Sequence, residues 1–281
     1  MKKILIPYAC GEGAKDNGCA DAPKHLKNIG LGSHIKARWT GEYKSDKTDK
    51  YEIIKDSCSR LSDDVIKAVS KGNFPITIGG DHSMAVGTWS GVTTGLNVQG
   101  NFGLIWFDAH MDAHTPQTSD SGAYHGMPLA HLLGYGDEDL CSVGSNMPKI
   151  SPAHLCLIGI RSFEEKEANL LQKLGVRIFY IDEVKRRGLH DVISEALKIV
   201  KNNTQGYGIT IDVDVFDPSE APGTGTKEPD GLHRAEAVEA FCVFKGDKDL
   251  RAVELAEYNH HLGNKGITSK LIFDILGAIF K

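Results

Sequence analysis

The chain has 281 residues, 41% of them hydrophobic and 25% charged, with a formal net charge of −5. Such a length and composition suit a globular chain with a large core, and the acidic balance argues against a nucleic-acid partner, which would need a basic face. The densest cationic cluster, Lys185-Arg186-Arg187, reads as a solvated helix end. No apolar run approaches the roughly 20 residues that span a bilayer. The apolar stretch after Met1-Lys2-Lys3 is too short for a signal peptide. Six scattered cysteines form no CxxC pair, so the expectation is a cytoplasmic protein with reduced thiols and no membrane or nucleic-acid partner.

Lys3–Pro7 reads as a first short strand, and the glycine-bearing Tyr8–Gly18 leads to a helical stretch at Ala22–Ile29. His34–Trp39 reads as a second strand and the lysine-rich Thr40–Lys50 as a loop. Asp56–Lys71 carries Leu61, Val65, Ile66 and Val69 at helical spacing, with Gly72 as its stop. Phe74–Ile78 is a buried-type strand ending in Gly79-Gly80-Asp81-His82-Ser83, with a helix expected beyond it. Phe102–Asp108 is another such strand, followed by a long loop to Gly126 and a helix start over Met127–Leu133, with Pro128 in its first turn.

Leu155–Arg161 predicts a strand, Phe163–Leu174 a helix, Arg177–Ile181 a strand and Val184–Val200 a helix. Tyr207–Asp214 is a strand ending in Asp212 and Asp214. A Pro/Gly loop covers Pro218–Gly231, a helix starts at His233, Leu250–Glu257 is the last strand, and Ser269–Phe280 is a closing helix. Alternation of strands and helices predicts an α/β fold with a mainly parallel sheet covered on both faces. No repeat, low-complexity tract or linker interrupts it, so residues 1–281 read as a single domain.

The chemistry-bearing residues fall at predicted carboxyl ends of strands, where open parallel sheets bind ligands. Asp108, His110 and Asp112 alternate with Ala109 and Met111, and in an extended chain residues two apart share a face. Asp212 and Asp214 alone could simply satisfy backbone donors in a turn, and His82 alone could be structural. Together they are two imidazoles and four carboxylates on one edge, which would repel strongly unless cations compensated them. Two divalent ions bridged by shared aspartates use all six. Oxygen-rich, two-histidine coordination without thiolate suits Mn²⁺, with Fe²⁺ or Co²⁺ as alternatives. Two such ions about 3.5–4 Å apart can activate a water at neutral pH.

Gly79-Gly80-Asp81-His82-Ser83, Asp108-Ala109-His110-Met111-Asp112 and Asp212-Val213-Asp214-Val215-Phe216-Asp217-Pro218 resemble the three signature motifs of the ureohydrolase (arginase/agmatinase) family. The resemblance implies a three-layer α/β/α sandwich, two Mn²⁺ ions per subunit and a homo-oligomer, trimer or hexamer. Carried over, one ion is held by His82, Asp108, Asp112 and Asp212, the other by Asp108, His110, Asp212 and Asp214. Glu257 matches the glutamate that pairs with the substrate guanidinium, and His125 the histidine that relays a proton to the leaving amine. Asp112 or Asp214 would accept a proton as the tetrahedral intermediate collapses. The implied products are urea and an amine.

The loop between Asp112 and His125 keeps Thr115-Pro116, Ser121-Gly122 and His125-Gly126, a pattern more similar to arginases than to agmatinases. It departs at His114 and Ala123, where asparagines are expected, and Glu164 replaces an aspartate in the segment after Arg161. The resemblance thus assigns substrate contacts to His114, Ser121, Glu164, Thr226 and Glu257. L-Arginine, cleaved to L-ornithine and urea, is the expected small guanidino substrate, with agmatine or another guanidino or formimino acid as alternatives. A degenerate metal-binding module with an interaction role, a single-zinc deacetylase and a dinuclear phosphatase are the competing readings. The complete ligand set weighs against the first of these and the paired histidines against the second.

Overall fold

Strands joined by helical crossovers pair in parallel, each crossover bringing the chain back to the same end of the sheet. The computed structural model describes residues 1–263 and 266–281. Eight strands appear in it: β1 (Lys3–Tyr8), β2 (Arg38–Trp39), β3 (Phe74–Gly79), β4 (Gly103–Phe107), β5 (Leu155–Ile160), β6 (Arg177–Tyr180), β7 (Tyr207–Asp212) and β8 (Leu250–Ala256). They form one sheet in the order β2-β1-β3-β8-β7-β4-β5-β6, and every pairing is parallel.

Alternate residues of the buried strands feed two hydrophobic layers. Ile76, Ile78, Ile105, Phe107, Ile209, Ile211, Val253 and Leu255 point to one face, where the helices Leu189–Val200, Arg234–Phe241 and Ile267–Phe280 cover them. Leu104, Trp106, Leu155, Leu157 and Ala252 point to the other, under the helices Lys50–Ser70 and Met84–Leu96. The result is the expected three-layer α/β/α sandwich. Each large side chain buried in these layers contributes about 1.5–3 kcal/mol. Among the described residues, no helix is long and apolar enough to cross a membrane.

Several elements differ from the sequence reading, among them the strand expected over Tyr207–Asp214, which ends at Asp212 because Val213–Val215 form a short 3-10 turn. The helix expected to start at Asp56 begins at Lys50, because the Asp49 side chain accepts the Glu52 N–H and caps it. Of His34–Trp39, only Arg38–Trp39 pairs as a strand, since Leu31–Ile35 completes a short helix that ends at Lys36 in left-handed backbone. The single helix expected over Val184–Val200 is two, Ile181–Arg187 and Leu189–Val200, separated by Gly188 at φ 85°.

The topology places the site. β3, β8, β7 and β4 are consecutive in the middle of the sheet. Their carboxyl ends lead directly into His82, Glu257, Asp212 and Asp108.

Candidate metal centre

Turns at the strand ends aim the side chains. The Gly80 backbone passes so close to Cys10 that a Cβ there would lie 1.9 Å from the Cys10 carbonyl oxygen, and this close approach brings the β3 end inward to His82. The Asp108 carboxylate accepts the His110 N–H (2.7 Å), Asp212 accepts the Asp214 N–H (2.9 Å), and Asp214 accepts the Ala109 N–H (3.1 Å). The convergence of Asp108, His110 and Asp112 therefore does not come from strand alternation. β4 ends at Phe107, and Asp112 joins the cluster from left-handed backbone at φ 50°.

His82 Nδ1 faces three carboxylates at once: Asp112 (3.0 Å), Asp108 (3.1 Å) and Asp212 (3.1 Å). His110 Nδ1 lies 3.0 Å from Asp214 and 3.6 Å from Asp108. Ligand atoms of His82, Asp108 and Asp212 converge closely enough for one cation, and those of Asp108, His110 and Asp214 for another. Asp108 belongs to both groups. All four aspartates are buried.

Burial raises the carboxyl of Asp212 well above its usual range, with the charges of Asp214 and Asp108 adding to the effect. Asp112 is pushed up to about 7 by burial and by Asp108, and burial raises Asp214. Burial also acts upward on Asp108, but hydrogen bonds from His110 and His82 outweigh it and hold that carboxyl low. Such a cluster needs compensating positive charge.

The donor set suits a bound cation. The Thr210 hydroxyl donates to Glu254 (2.7 Å) and lies 3.0 Å from His82 Nε2, so it accepts the Nε2–H. The buried Nδ1, aimed at three carboxylates, has no hydrogen-bond partner of good geometry among the described residues. A lone pair and carboxylates converge that closely only around a positive centre, and two imidazoles with oxygen donors suit a borderline or hard divalent ion.

Beside the cluster lies a cleft of about 190 Å³ lined by Asp112, His114, His125, Glu164, Thr226 and Glu257, among others. Glu257 also stands in left-handed backbone, at φ 62°. Its Oε1 accepts the His82 N–H (2.8 Å) and lies 3.1 Å from His125 Nδ1. Burial works against protonation of His125, yet the Glu257 hydrogen bond outweighs it and lifts the imidazole to about 9. His114 and Glu164 meet on the far wall of the cleft. Ser121 is not among the residues that line it: the side chain is exposed and accepts the Ala123 N–H at 3.2 Å.

Residues without an assigned role in the sequence reading complete the surroundings. Trp106 donates its indole N–H to Asp108 (2.8 Å) and stacks on the His82 ring at 4.4 Å. Trp89 donates to Glu254 at 3.2 Å. The signal for Thr210 and Glu254 was available: each is a fully buried polar residue flanked on both sides by apolar residues of its strand, where a partner is obligatory.

The Arginase family model matches residues 3–281. The arginase of Bacillus caldovelox is 35% identical over 245 residues, 87% of this chain and 81% of that protein. The native structure of Bacillus caldovelox arginase superposes with a TM-score of 0.91 at 30% identity, covering 99% of this chain and 98% of that one. Entamoeba histolytica arginase, solved in complex with L-ornithine, superposes with a TM-score of 0.90 at 29% identity over 99% and 98% of the two chains.

Proposed function

The chain belongs to the arginase family and is a ureohydrolase, and on that premise we propose that it is a dinuclear manganese enzyme hydrolysing L-arginine to L-ornithine and urea. The observation that carries this reading is the meeting of six ligand-type residues with Glu257 at four adjacent strand ends. His82, Asp108, Asp112 and Asp212 would hold one ion and Asp108, His110, Asp212 and Asp214 the other, with Asp108 and Asp212 bridging. When bound, the ions supply an activated water and positive charge at the reacting carbon.

The chain's own groups do the rest. The Glu257 carboxylate, steadied through Oε1 by the His82 N–H, pairs with the guanidinium by charge-assisted hydrogen bonds and sets its carbon beside the aspartates. Asp112 accepts a proton as the carbon–nitrogen bond breaks, and His125, at the cleft wall beside Glu257, delivers one to the leaving amine. His114, Glu164 and Thr226 contact the far end of the substrate, whereas Ser121, which does not line the cleft, has no contact role there. The L-ornithine in the Entamoeba histolytica relative is the amine that arginine hydrolysis leaves, which favours arginine over its decarboxylated analogue. The reading extends to one ureohydrolase domain over residues 1–281, a cytoplasmic location and a trimeric or hexameric homo-oligomer.

The test is urea release by Mn²⁺-loaded protein on arginine, agmatine, guanidinobutyrate and formiminoglutamate side by side. Arginine should be turned over at the highest kcat/KM. Turnover of agmatine with arginine inert would overturn the substrate and keep the chemistry. Metal uptake without turnover of any of the four would overturn the enzyme reading of the site.

A further inference from the structure

Each imidazole of the metal cluster uses Nδ1 toward the aspartates, so the orientation of each ring depends on what holds Nε2. For His82 the answer is the Thr210–Glu254 pair already described. For His110 it lies on another segment. Glu228, in the loop between β7 and the helix Arg234–Phe241, places Oε1 3.5 Å from His110 Nε2. Among the described residues it is the one carboxylate within salt-bridge distance of that nitrogen, and no hydrogen bond is formed at Nε2 in this arrangement. Glu228 is not among the residues that line the substrate cleft.

The loop is held for this purpose. Arg161, at the end of β5, donates Nε–H to the Pro229 carbonyl (2.8 Å) and Nη2–H to the carbonyls of Glu228 (3.0 Å) and Asp214 (2.7 Å). Its Nη1 donates to the Gly159 and Val215 carbonyls at 3.1 and 3.3 Å. One half-buried guanidinium therefore ties the peptide of Glu228 to the peptide of Asp214, itself 3.0 Å from His110 Nδ1. The Asp217 carboxylate accepts the Asp230 N–H at 3.0 Å and fixes the far side of the loop. Both sides of the His110 ring are thus set by groups anchored to Arg161.

We propose that Glu228 is a positioning residue: it accepts the Nε2–H of His110, locks the ring with Nδ1 toward Asp108 and Asp214, and so sets the affinity of the ion bound there. The proposal rests on the two-ion reading above, and removal of such an outer carboxylate typically weakens a bound metal about 10–100-fold.

The experiment has two arms on the full chain, with Glu228→Ala and Glu228→Gln. In metal-free protein, ¹⁵N-edited NMR should show an exchange-protected His110 Nε2–H in the wild type, retained in Glu228→Gln, whose amide oxygen still accepts, and lost in Glu228→Ala. In a Mn²⁺ titration followed by the free-ion EPR signal, Glu228→Ala should weaken one of two ions about 10–100-fold, leave the other within about twofold, and be partly rescued by Gln. An unprotected Nε2–H in the wild type, or an unchanged resonance in Glu228→Ala, overturns the proposal. Two unchanged affinities overturn it as well. Wild-type protein that takes up fewer than two ions overturns the two-ion reading instead, and the NMR arm still decides the role of Glu228.

Discussion

His114 Nε2 lies 2.5 Å from Glu164 Oε2, so two of the proposed substrate positions that depart from the expected pattern touch each other. The His114 side chain is only 10% exposed and that of Glu164 64%. Thr118 holds the other ring nitrogen at 3.2 Å, and Glu167 stands 3.6 Å from Nε2. A hydrogen bond to a charged group is worth about 1.5–3 kcal/mol. Glu164→Ala should accordingly raise KM for arginine about tenfold while kcat stays within about twofold, the mark of lost uniform binding far from the reacting carbon. Steady-state kinetics on arginine check this; a fall in kcat with KM unchanged would assign the pair to the chemistry instead.

The buried carboxylates make stability depend on the cation. Free Mn²⁺ at about a hundred times its Kd adds about 2.7 kcal/mol for one ion, which in a chain of this size is a Tm rise of about 4–5 °C. Chelation should reverse it. Asp212→Ala, which removes the carboxylate facing His82, should lower metal content below two ions per chain and urea release by more than roughly 100-fold. Elemental analysis and a urea assay on the same preparation measure both.

His131 provides an acid-sensitive element away from the cluster. Its ring is buried with neither nitrogen hydrogen-bonded, and burial lowers it from 6.5 to about 4. The unfolded chain therefore binds this proton first as pH falls. The stability that the neutral ring contributes is complete above pH 6.5 and is lost progressively between about 6.5 and about 4. The loss amounts to about 3 kcal/mol. Urea denaturation of wild type and His131→Leu across this window should show a shallower acid slope in the variant.

Lys149 is buried to 1% exposure, and its ammonium donates to the carbonyls of Cys141 (2.5 Å), Ser145 (2.6 Å) and Met147 (2.9 Å). Burial brings it down to about 8. Lys149→Met keeps the apolar stem but leaves three carbonyls without a donor, at a cost of about 2–4 kcal/mol. The midpoint of equilibrium unfolding should fall while kcat on the substrate is unchanged.

How far the sequence disclosed the molecule follows from the range of the forces involved. The strands Gly103–Phe107 and Tyr207–Asp212 are legible, to within a residue or two at their ends, because an apolar run and its polar terminus are both local signals. The start of the helix at Lys50 was hidden because its cap, Asp49, lies within a polar, lysine-rich tract that looks like loop. Glu254 and Glu228 each act across strands and loops far apart in the chain, and their partners are visible only once the sheet order is known. The His114–Glu164 contact was out of reach for the same reason, although both residues had been singled out separately.

Asp112 and Glu257 both occupy backbone conformations that an L-residue enters at a cost of about 1–2 kcal/mol. Glycine would relieve that cost at either position and remove the carboxylate with it. Folding and catalysis therefore pull these two codons in opposite directions. The strain is held in place because the same two carboxylates are tied into the cluster, Glu257 by the His82 N–H and Asp112 by the His82 ring.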